Sequence, residues 1–141
     1  MNNKEIKFRI WDRQQRKFHT DADWGISLRG NHIIGFSSHD SWNDDRGYKI
    51  NLSNQDNLIV QQYTGLKDRN DKEIYEGDVV IIYTTDTETG ECHSSIFEVY
   101  FDQSFCQFKI KTHSGCYTMS SVNTYGEVIG NIFENPELLK Q

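Results

Sequence analysis

Short stretches of period-two alternation constrain this chain more than any other feature. In Glu5-Ile-Lys-Phe-Arg-Ile-Trp11, Ile6, Phe8 and Ile10 fall on one side and Lys7, Arg9 and Trp11 on the other. That is the pattern of a half-buried strand. Trp24, Ile26 and Leu28 repeat it over residues 23–29. Further extended segments are read at 17–19, 33–36, 58–63, 74–75, 79–83, 96–101, 105–111, 117–122 and 127–132. Polar turns separate them at 12–16, 68–72, 84–91, 102–104 and 123–126. No helical period of ten or more residues competes. The one local helix signal is at the end, where Asn135 suits a cap, Pro136 a first turn and Glu137 its positive end.

Many short strands at close spacing predict a mainly β fold: a small SH3-like barrel or sandwich of antiparallel strands in two lobes, with a short C-terminal helix over 136–140. At 141 residues the chain is expected to be a single domain, 1–141, with lobes over 1–60 and 61–141. Hydrophobic residues are only 35%, but aromatics reach 13%, so large rings are expected to fill the core. Residues 37–49 are polar and aperiodic and are expected to form a mobile loop.

Charge narrows the function. The net charge is −6. Residues 1–60 hold nine Lys/Arg and eight Asp/Glu; residues 61–141 hold six and thirteen. The second half would repel a phosphate backbone. Only residues 1–17 form a basic edge: Lys4, Lys7, Arg9, Arg13, Arg16 and Lys17 stand against Glu5 and Asp12. No apolar run approaches the roughly 18 residues of a membrane-spanning helix, and the first residues lack the apolar stretch of a secretory signal. Three widely spaced cysteines make a poor disulfide framework. A cytoplasmic location is expected.

Residues that carry chemistry are few. Cys92, His93, Cys106, His113 and Cys116 are the candidate zinc ligands. Adjacent Cys92 and His93 would point to opposite faces of a strand, which breaks the first pair. Cys106 and Cys116 are therefore read as small core residues. His113 and Cys116 would make a catalytic dyad only if the fold brought them together. No nucleophile elbow, phosphate loop or dinucleotide fingerprint occurs, so no enzyme activity and no cofactor are expected. The acidic run Asp68, Asp71, Glu73, Glu76 and Asp78 is interleaved with Lys67, Arg69 and Lys72 and reads as a solvated turn, not a metal loop.

The remaining candidates are outward rings and charges. Trp11 lies among Lys7, Arg9, Arg13 and Arg16. Aromatic and basic groups on a β surface anchor protein partners or grip single-stranded nucleic acid. The acidity of the whole chain favours the first.

Tyr63-Thr-Gly-Leu-Lys-Asp-Arg-Asn-Asp-Lys-Glu-Ile-Tyr-Glu-Gly-Asp78 resembles a central motif of the YopX family of phage and prophage proteins. Lys7-Phe-Arg-Ile-Trp-Asp12 with Lys17-Phe18 resembles the family's opening, and Val128-Ile-Gly-Asn-Ile-Phe-Glu-Asn-Pro-Glu-Leu-Leu139 its closing segment. Residues 19–57 carry no family motif and read as a variable insert. The resemblance implies a small β-rich protein of a bacterium carrying phage genes, and it carries over no catalytic residue. Read by its own chemistry, the central motif joins the two halves: residues 63–65 end a strand, 67–72 turn, and 76–78 start the next strand.

The sequence thus predicts a non-enzymatic accessory protein that binds a phage or host protein or assembles with itself. Trp11, Asp12, Tyr63, Lys67, Asp68, Tyr75 and Glu76 are its expected contact residues, with Trp11, Tyr63 and Tyr75 exposed. The alternative is a nucleic-acid-binding module using Lys7, Arg9, Arg13, Arg16 and Lys17.

Overall fold

The structure, a computed structural model, describes residues 5–19, 24–29, 32–37, 49–51 and 56–140. Among these the chain is mainly antiparallel β, as the alternation predicts. The strands are β1 Phe8–Asp12, β2 Lys17–His19, β3 Trp24–Arg29, β4 His32–Ser37, β5 Lys49–Asn51, β6 Leu58–Lys67, β7 Glu73–Tyr75, β8 Asp78–Thr85, β9 Cys92–Asp102, β10 Gln107–Thr112, β11 Gly115–Thr118 and β12 Gly126–Asn131. A single α-helical turn, α1, spans Val122–Tyr125. No helix among the described residues is long and apolar enough to cross a membrane. The chain divides into two compact units, one of Lys7–Gln62 and one of Tyr63–Gln141 with Met1–Ile6.

In the first unit β1 lies between β2 and residues 58–62 of β6. Trp11 stands opposite Phe18 on one side and Ile59 on the other. β3, β4 and β5 form a second antiparallel set, with Ile26 opposite Gly35 and Gly35 opposite Ile50. The expected mobile loop falls, but for its first and last residue, outside the described residues.

In the second unit residues 63–67 of β6 pair with β7 across an irregularity between Tyr63 and Lys67. Gly65 stands there at a φ of 86°, which a side chain would oppose. Thr64 spans the gap: its hydroxyl donates to the Ile74 carbonyl at 2.8 Å and accepts the Leu66 N–H at 3.2 Å. The main sheet has the order β11-β10-β9-β8-β12. Val80 and Ile82 of β8, Val99 of β9 and Ile110 of β10 alternate onto one face. With Ile74, Met119 and Val122 they form the buried core, and Leu66, Phe97, Phe108 and Val128 pack against it.

Four local expectations are corrected. Residues 117–122 are not one strand: β11 ends at Thr118, and a 3₁₀ turn over Met119–Ser121 leads into α1. Met119 and Val122 both reach the core. Residues three apart share a face only in a helical turn. Residues 105–106 belong to the turn before β10, where Cys106 adopts a φ of 51°. The final helix has its expected bounds, Pro136–Lys140, as a 3₁₀ helix, but the Asn135 side chain turns back to accept the Asn131 N–H. Last, Cys92, Cys106 and Cys116 are free thiols and all exposed. The first extends past the end of β10, the second sits in a turn and the third on an edge strand, so none is a core residue.

Candidate functional site

The central motif is built largely from internal bonds. Asp68 is buried. Its Oδ1 accepts the N–H groups of Asn70 and Lys72, and its Oδ2 accepts that of Val128 at 2.9 Å. Burial pushes this carboxyl up, but the N–H donors of Val128, Lys72 and Asn70, with the Lys72 charge, outweigh burial and hold it below the usual carboxylate range. Arg69 completes the join: its N–H donates to the Gly126 carbonyl, and its guanidinium pairs with Glu127 at 2.8 Å. Asp78, also buried, accepts the Tyr75 N–H at 2.8 Å and the Asn131 side-chain amide at 3.4 Å. Gly77, at a φ of 83°, donates its N–H to Val99 and accepts that of Ile132. The motif thus fastens the 68–72 turn and the start of β8 to β12 and its flank.

The expectation of exposed rings is overturned at two positions. Trp11 is 2% exposed and Tyr63 4%. Trp11 meets Phe18 edge-on at 4.8 Å, and its in-register neighbours Phe18 and Ile59 share its face. Tyr63 lies against Tyr75 at 5.5 Å. Tyr75 and Glu76 are half-buried, and the Tyr75 hydroxyl donates to Glu73. Lys67 is exposed and pairs with Asp71 at 3.5 Å. Asp12 is buried. It accepts the N–H groups of Gln14 and Gln15 and contacts the His19 imidazole at 3.0 Å. Burial raises this carboxyl, but the Gln15 N–H, His19 and the Gln14 N–H prevail and hold it below the usual range.

The basic edge is divided. Arg9 is half-buried; its Nε donates to Gln61 at 2.7 Å and its guanidinium lies over the Phe18 ring at 4.3 Å. Lys7 is half-buried too, while Arg13, Arg16 and Lys17 are exposed at and beside the β1–β2 turn.

The outward rings lie instead on β9, in the turn before β10 and on β11. Phe105 is 68% exposed, Tyr117 51% and Phe101 42%. Phe101 stands opposite Phe108, their rings 5.2 Å apart. Lys109 lies over the Phe105 ring at 3.9 Å and pairs with Asp102 at 3.0 Å. Two residues along the strand, Lys111 pairs with Glu98 at 3.6 Å and lies over Tyr100 at 4.7 Å. The Tyr100 phenol is pushed up to about 12, first by loss of water around it and then by Cys116 and Asp102.

An open cleft of about 600 Å³ adjoins this surface. Ser94, Ser95, Ile96 and Phe97 of β9 line one side; Thr112 and His113, then Tyr117, line another; Leu138 and Leu139 close the end. His113 contacts Thr112, and Cys106 donates to the Gln103 carbonyl. Among the described residues no group of three or more His, Cys, Asp and Glu side chains is placed to hold a metal ion.

A family model described as YopX protein matches residues 7–140. The chain belongs to the YopX family. The SPbeta prophage-derived uncharacterized protein YopX of Bacillus subtilis (strain 168) is 31% identical over 140 residues, which cover 94% of this chain and 95% of that protein. The crystal structure of protein EF1440 from Enterococcus faecalis is similar with a TM-score of 0.58 at 25% identity, covering 97% of this chain and 99% of that one. In this YopX chain the matched span takes in every contact residue selected from sequence. It also takes in Phe101, Phe105, Tyr117 and the cleft, which sequence reasoning missed. Their signal was faint: residues 92–95 are polar and carry no alternation, and a ring in a β segment does not by itself reveal which face is covered.

Proposed function

We propose that this prophage-associated YopX-family chain is a non-enzymatic accessory protein that works by binding another protein of the phage or its host. The observation that carries the reading is the exposure of Phe101 on β9, Phe105 in the turn before β10 and Tyr117 on β11. Aromatic side chains with charged rims are the usual anchors of protein contacts. Beside Phe105, Lys109 lies over the ring, and Lys111, half-exposed and paired with Glu98, adds charge on the same face of the sheet. The test is capture from phage-induced host lysate by the intact chain and by Phe105→Ser, with light scattering on the purified chain. A partner captured by the parent and lost with the variant supports the reading. A strict monomer that captures nothing overturns it.

The exposed Arg13, Arg16 and Lys17 favour a second reading, nucleic-acid binding at the β1–β2 turn. A titration against single- and double-stranded DNA and RNA at low and high salt tests it. A steep loss of affinity with salt is expected of a phosphate binder. Absence of binding at low salt removes it.

A further inference from the structure

β9 is longer than the strand beside it. β8 pairs with β9 from Glu98 back to Cys92, whereas β10 stops at the Lys111–Glu98 pair. Among the described residues, 92–97 therefore have a strand on one side only. In an antiparallel pair every second residue aims its N–H and C=O away from its neighbour, so this stretch offers a row of outward backbone groups. Sheet edges are commonly guarded by lysine, proline or a bulge. Cys92-His-Ser-Ser-Ile-Phe97 has neither lysine nor proline, and its pairing with β8 runs without a shift. At the other end of the sheet the edge is handled differently. The 68–72 turn bonds β12 at Gly126 and Val128, and a register shift follows Val128.

The tip that leads into the open edge is acidic, and the one lysine at the edge's far end, Lys111, is already paired with Glu98. Residues 73–108 contain eight carboxylates and no lysine or arginine. Asp86, Glu88 and Glu91 stand exposed on the β8–β9 tip that leads into the edge. Asp86 is tied to the Glu88 and Thr89 N–H groups. Glu88 is exposed, and Glu91 lies 3.8 Å from His93. A second copy of this chain carries the same acidic tip and the same net charge of −6, and the two would repel. A basic segment would be drawn in.

We propose that residues 92–97 take up an extended, lysine- or arginine-bearing segment of a partner protein as an added strand. Backbone bonds to β9 hold the segment, Glu88 and Glu91 meet its cations, and the adjoining cleft receives one side chain above Phe97 and Tyr117. This rests on the protein-binding reading and names its partner's chemistry.

Three labelled ten-residue peptides test it by fluorescence anisotropy and amide chemical shifts: one alternating Lys with Val or Thr, the same peptide N-methylated at alternate amides, and one with Glu in place of Lys. The basic peptide is expected to bind, shift the amides of 92–97 and weaken with salt. The N-methylated and acidic forms are expected to bind at least about tenfold more weakly, and the double variant E88Q/E91Q to weaken the basic peptide about threefold or more. Equal binding of the N-methylated peptide, shifts confined elsewhere, or no binding of the basic peptide overturns the proposal. Concentration-dependent shifts of 92–97 without peptide also overturn it, because they assign the edge to a second copy. Each of these outcomes is separate from the lysate capture by Phe105→Ser, which judges the broader reading.

Discussion

Asp68 holds the backbone N–H of Val128 on its Oδ2 at 2.9 Å, across sixty residues of chain. The other oxygen holds two N–H groups of its own turn. One carboxylate therefore fixes both a local turn and the edge strand β12.

Asp68→Asn should destabilise the protein by about 1–3 kcal/mol, because an amide NH₂ would face at least one buried N–H donor. The pH dependence follows from the depressed carboxyl. The stability Asp68 contributes is present above the ordinary carboxylate value of about 3.9 and is lost as pH falls through its lower folded-state value. Asp12 adds a second component of the same sign. Urea unfolding from pH 7 to pH 2 should show a steeper acid decline in the parent than in Asp68→Asn. Equal slopes would refute the assignment.

Trp11→Ala should cost about 3–5 kcal/mol, since the ring is buried against Phe18. Phe105→Ser should leave thermal stability nearly unchanged, within about 0.5 kcal/mol, as for an exposed side chain. The pair separates a structural ring from a surface one in a single melting experiment.

Gly126→Ala should destabilise by about 1–3 kcal/mol through overpacking. A Cβ there would lie 2.6 Å from the Val122 carbonyl oxygen, which is backbone. Gly90→Ala is the contrast. It meets open space, so any cost comes only from its φ of 74°. Chemical denaturation of both variants should place Gly126→Ala lower.

Ultraviolet titration of the parent against Tyr100→Phe should reveal one phenol ionising near pH 12, not at the ordinary value of about 10. Cys116→Ala should bring that step down, since the neighbouring thiol helps hold the phenol neutral. A Tyr100 step at the ordinary value in the parent would contradict the packing described for this face.

Strand existence was legible because alternation and turn residues act locally. The turns at 68–72 and 86–91 and strand β8 stand close to where the sequence places them. What the sequence could not reveal is which side of a strand another element covers. Lys7, Arg9 and Trp11 alternate as an exposed face should, yet Trp11 is covered by Phe18 and Ile59, which arrive from β2 and β6. At the opposite end of the strand Ile6, assigned to the buried face, is exposed because pairing begins only at Phe8. The 63–78 motif was found as a pattern, but its bonds to Gly126, Val128 and Asn131 join residues far apart in sequence. The same holds for the open edge, which exists only because β10 ends before β9 does.

The order of the main sheet also governs how it assembles. Strands β8 to β11 follow one another in sequence, each reached by a short loop, so their pairing closes early and at small entropic cost. β12 must come back past three strands to reach β8 and can zip only onto a meander already present. Substitutions in β12 should therefore mainly hasten unfolding and scarcely slow refolding, while those in Val99 or Ile110 should slow the chain's search for its native state.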